Sequence, residues 1–169
     1  MQDHNTAAKL LLVEQIGRLT DTKRVNLDRL VIEESVKAET TDIQGAADRV
    51  KCVLDTMTTV FAPKDSLLSS QGLVTIYYWL VRDALRNPAV DITRIRPFLV
   101  KFTGELQLNK RRNSDDPLLD PELRGYEVLA RSINDARSLT SCYSILRRRL
   151  YRELGLETAE QQRQSVLTS

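Results

Sequence analysis

The residues that could carry chemistry are few and scattered. The sole histidine is His4, at the start of a chain of 169 residues. A Ser-His-Asp or Cys-His system would have to be built on it, where chain termini tend to fray. Cys52 and Cys142 are the two cysteines and lie far apart, so they make neither a disulfide framework nor a metal cluster. One histidine and two separated cysteines exclude the usual zinc arrangements. Glu33-Glu34 and Asp115-Asp116 are adjacent carboxylate pairs. Neighbours on a helix point to different faces, so both pairs read as solvated charge. Gly17, Gly45, Gly72, Gly104, Gly125 and Gly155 are all isolated, which leaves no glycine-rich loop to cradle a phosphate. The expectation is a non-enzyme with no catalytic, cofactor-binding or metal-binding residues.

Basic residues are the remaining candidates. The formal net charge is only +2, but its distribution is uneven. Residues 1–90 carry 11 basic and 12 acidic groups, and residues 91–155 carry 13 and 9. The excess sits in Lys110-Arg111-Arg112 and in Arg147-Arg148-Arg149 with Arg152. Such a patch can attract nucleic acid; a short run of this kind also reads as a solvated helix face making surface ion pairs. On a helical wheel Leu139, Cys142, Tyr143, Leu146, Leu150 and Leu154 share one face. Arg148 and Arg152 point away from it beside Tyr151, with Ile145 exposed on the same outer side, and Arg147 and Arg149 flank the stripe. Lys110, Arg111, Arg112, Arg148, Tyr151 and Arg152 are therefore the candidate contacts for a nucleic acid or a partner surface.

The elements that must position these residues are helices. Asn5 or Thr6 can cap a first one, with Leu10, Val13 and Leu19 inward and Leu11, Leu12 and Ile16 widening the face. Asn26 can cap a second over Leu27, Leu30 and Val31. Asp42 can cap a third, in which Ile43, Ala46, Val50, Val53, Leu54, Met57 and Val60 repeat at helical spacing, with Cys52 on the opposite face, until Pro63 ends it. Ser69 or Ser70 starts a fourth, closed by Asn87-Pro88. Its stretch of residues 74–81 has strand-like propensity, but the apolar period of Leu73, Ile76, Tyr77, Leu80 and Ala84, extended by Leu85, is helical. This is expected to be the most buried helix, with Trp79 at its rim beside Arg82. Asp91 or Thr93 starts a fifth, with Pro97 in the first turn. Asp120-Pro121 is a cap with proline at the first helical position. Ser138 can cap the last helix and Gly155 can stop it. The fold expected is all-α: an irregular bundle of six or seven helices forming a single domain over residues 1–155, with a flexible, disordered tail over 156–169.

Apolar residues make up 41 % of the chain and charged residues 28 %, an ordinary globular composition. No apolar run approaches the ~20 residues of a membrane span, and no signal peptide is visible. These features predict a cytoplasmic protein without membrane contact.

From residue 91 onward the order of features resembles a known arrangement. Phe98 and Phe102 come first, then Lys110-Arg111-Arg112-Asn113. Asp120 leads into Tyr126, Arg131 and Asn134-Asp135, and Ser138 and Ile145-Leu146 follow. The series resembles the C-terminal helical region of a large bacterial family whose N-terminal domain is a ParB-like nuclease/NTPase. That family includes GmrSD-type restriction enzymes and related anti-phage defence proteins. Where the family pattern has a basic residue before Ile145-Leu146, this chain has Cys142, and the family's Asp-Gly-Gln-Gln-Arg-like catalytic motif is absent. The resemblance implies a bacterial, non-catalytic helical accessory domain of a restriction-modification or defence protein, supporting self-association as a homo-oligomer, docking to a missing N-terminal domain, or DNA contact. The alternatives are a stand-alone adaptor or regulator binding a protein partner and a small DNA-binding protein.

Overall fold

A computed structural model describes residues 2–23 and 43–156. Among these there are six α-helices and two short 3₁₀ turns, with no strand, so the chain is all-α. The helices are α1 (Gln2–Ile16), α2 (Ile43–Val60), α3 (Gln71–Arg86), α4 (Ile95–Lys110), α5 (Pro121–Ala130) and α6 (Ala136–Glu153). The helix expected after Asn26, the Asp42 cap and the tail from residue 157 lie outside the described residues.

α3 is the hub. It packs against α1, α2 and α6, while α4 pairs with α5 and α5 with α6. Its burial explains how residues with strand propensity form a helix: Ile76 through Arg82 are all buried. A helix packed against several neighbours over its middle turns loses its polar stripe there, and tertiary packing overrides local propensity. Each large apolar side chain removed from water contributes roughly 1.5–3 kcal/mol. Phe102 and Tyr126 meet edge to face at 4.9 Å between centroids, the arrangement aromatic quadrupoles favour, and this joins α4 to α5.

The boundaries follow local chemistry. Ser70 is the N-cap residue of α3 and Asn87 its C-cap. Asp120 caps α5 by accepting from the N–H groups of Glu122 and Leu123 at 2.8 and 3.2 Å. Buried Asn109 holds that cap in place. Its Nδ2 donates to the Asp120 carbonyl at 3.0 Å, and the Asp120 N–H donates to its Oδ1 at 2.8 Å. Gly155 adopts φ +68°, and the closing bonds run from Leu156 N–H to Tyr151 at 2.8 Å and from Gly155 N–H to Arg152 at 3.1 Å. This is a Schellman ending, whose left-handed residue glycine takes without strain.

Four expectations need correction. α1 begins at Gln2, so Asn5 and Thr6 lie inside it. α6 is capped by Asp135, whose carboxylate accepts from the Ser138 N–H at 2.8 Å, and Ser138 is already helical. The one-turn error arises because a capping carboxylate reaches two or three residues ahead. Ile145 is half-buried against the core, because α5 crosses the face that a lone wheel leaves open. Ile43, Leu54 and Leu85 are exposed, since no described helix covers those edges of α2 and α3.

Candidate interaction surface

The six residues singled out from sequence occupy separate settings. Lys110 lies 3.7 Å from Glu127 on α5. Arg112 reaches Asp116 at 3.8 Å and also donates to the Leu118 carbonyl. Arg111 is exposed, with no ion pair among the described residues. Arg148 is paired with Glu122. Arg152 lines a cleft of about 250 Å³ with Lys101, Phe102, Glu105, Arg149 and Glu153. Tyr151 is half-buried rather than outward: its hydroxyl accepts from Asn87 at 3.0 Å, and Arg147 lies 4.4 Å above its ring. Arg149, read as a flank of the stripe, is the most connected of the cluster. It meets Glu122 at 2.5 Å and Glu105 at 3.5 Å, and it also pairs with Asp120. Adjacent arginines fan out around a helix, so the run distributes its charges: Arg147 meets Asp83 on α3 at 2.8 Å, and Arg148 and Arg149 meet carboxylates of α4, α5 and the loop between them.

Sequence reasoning did not anticipate a second charged cluster, which is buried. Glu14 on α1 accepts a hydrogen bond from the Tyr78 hydroxyl at 2.8 Å and pairs with Arg82. Arg49 on α2 approaches its other oxygen at 3.4 Å. Glu14 has no exposed side-chain surface, and a buried charge persists only when paired and hydrogen-bonded. Burial and the Glu14 carboxylate together push the Tyr78 hydroxyl well above the ordinary tyrosine range, so it stays a neutral donor. The Arg82 guanidinium lies 4.0 Å over the Trp79 ring. Three elements thus fix the position of one indole.

Trp79 lines an open groove of about 670 Å³ between the segment after α1 and the first half of α6. Tyr143 lines it too, half-buried, and burial together with the nearby Asp83 charge pushes its hydroxyl above the ordinary tyrosine range. Thr140 and Ser141 supply hydroxyls, and Arg18 and Arg137 flank the opening from opposite sides. Both arginines are exposed, and neither makes an ion pair among the described residues. Lys9, buried on α1, holds this region together by donating to Asn134 Oδ1 at 2.8 Å, while the Thr22 N–H donates to the Asn134 carbonyl at 2.8 Å. No sequence signal joins Arg18 to Arg137, because periodicity does not report which distant residues two faces meet. Comparison with known proteins finds no matching family model, no matching curated protein and no matching solved structure.

Proposed function

We propose that the chain is a non-catalytic helical interaction module that docks a partner protein or domain, and that the groove between α1 and α6 is its working surface. The observation that carries this reading is a contrast among the arginines. Those of the α6 run, with Lys110 and Arg112, spend their charge on carboxylates of the same chain. Arg18 and Arg137 flank a groove whose size falls within the roughly 300–1,000 Å³ typical of binding clefts. An accessory role in a bacterial restriction or anti-phage defence protein is what the resemblance implies, its features lying from residue 91 onward and its layout covering roughly residues 10–155, and it belongs to the same proposal.

A photo-crosslinking amino acid placed at Thr140, in the groove, and separately at Arg148 tests the reading in cells. Crosslinks from position 140 to one defined polypeptide, absent from position 148, are the expected result. Crosslinks to nucleic acid from position 148 and none from position 140 would replace it with the DNA-contact alternative.

A further inference from the structure

We infer that the groove of Trp79 and Tyr143 takes an acidic peptide segment of the partner, with carboxylates on Arg18 and Arg137 and one apolar side chain between them; this rests on the interaction reading above. Charge complementarity identifies the occupant. Among the described residues no carboxylate lines the groove. The acids of the bordering segments are already engaged: Asp21 by Lys23 at 3.3 Å, and Asp135 by the N–H and hydroxyl of Ser138 at 2.8 and 3.1 Å. Arg137 stands in the first turn of α6, where the helix dipole disfavours a cation. An arriving carboxylate would relieve that placement and gain a charge-assisted, two-pronged hydrogen bond of the kind guanidinium makes. Thr140 and Ser141 add donors for a peptide backbone.

The aromatic residues argue against nucleic acid as occupant. Base stacking needs an open ring face. Trp79 is only 9 % exposed and carries Arg82 on one face, and Tyr143 is half-buried against the core. What they offer is a fixed apolar floor. Because Glu14 and Tyr78 hold that floor before anything binds, little ordering cost remains for the partner.

Selection of a random twelve-residue peptide-phage library against the whole protein and its Arg18→Gln/Arg137→Gln variant tests the inference. Wild type should enrich peptides with Asp or Glu on both sides of an apolar residue, and the variant should not. Synthetic copies of the enriched peptides should shift the emission of Trp79, the one tryptophan in the chain. They should bind the variant roughly tenfold or more weakly, as loss of a charge-assisted hydrogen bond implies. Both arginines are exposed, so an unchanged melting temperature and circular dichroism spectrum would establish that the variant is folded. Enrichment of basic or uncharged peptides, equal enrichment by the two proteins, or no enrichment overturns the acidic-peptide assignment. If position 140 still crosslinks to a polypeptide in that case, the interaction reading survives without it. If that crosslink is also missing, both fail. Competition for the groove by single-stranded DNA, read on Trp79, would likewise overturn the inference.

Discussion

Glu14 and Cys142 show what burial does to single groups. Glu14 is the shared partner of Tyr78, Arg82 and Arg49. Glu14→Gln keeps an acceptor for Tyr78 but leaves the Arg82 guanidinium, 10 % exposed, without its counter-charge. Removing one member of a buried pair costs about 3–5 kcal/mol, so urea denaturation should show a loss near ~3 kcal/mol at unchanged slope. Pairing the change with Arg82→Met should recover much of that loss. A loss under ~1 kcal/mol would mean that water reaches the pair. The cysteines make a second, independent test. Cys52 is exposed and Cys142 fully buried. Burial, reinforced by the Asp135 charge, pushes the Cys142 thiol up to about 12. Thiolate is the reactive form, so a thiol reagent on native protein at neutral pH should label one cysteine, Cys52, and reach the second only on unfolding. Fast labelling at two sites, read by mass spectrometry, would contradict the packing of α6. The cysteine contrast was legible in the sequence, because one residue falls inside an apolar stripe and the other opposite it. The Glu14 cluster was not, because periodicity reports which face turns inward and not which distant charges it meets there.

Elements were legible where their ends carry strong chemistry. Pro121 after Asp120, Asn87 before Pro88, and Gly155 after the last apolar turn placed the limits of α3, α5 and α6 to within a residue or two. The start of α1 has no such marker and was misplaced. Contacts between elements were hidden, and Gly72 is the sharpest instance. A Cβ there would lie 1.9 Å from Ile133 Cγ2 and 3.2 Å from Ile133 Cβ. The first turn of α3 therefore presses on the connection between α5 and α6. Gly72→Ala should destabilise by about 1–3 kcal/mol, the usual cost of overpacking, despite alanine's better helix propensity. Adding Ile133→Ala should return part of that stability, since residues in contact are not additive. Simple additivity in a thermal-melt cycle would refute the contact.

For the whole molecule, the all-α class and the central burial of α3 followed from period and capping, whereas the groove did not. It is formed by α3, α6 and the segment after α1, which the chain brings together only on folding, and its arginines belong to no motif. α1 reaches that assembly through remote partners: Arg82 lies 68 positions beyond Glu14, and Asn134 lies 125 beyond Lys9. This has a consequence for synthesis. Chains grow at roughly 5–20 residues per second, so Lys9 is made about 6–25 seconds before the residue that holds it. For the first part of that interval, until α2 and α3 have been made, Leu10, Leu12 and Val13, buried in the finished fold, lack the helices that α1 packs against. Ribosome-stalled chains ending before Asn134 has emerged should be cut by trypsin at Lys9 and Arg18. Chains stalled after residue 156 has emerged should resist cutting at Lys9, because its ammonium group is then buried against Asn134.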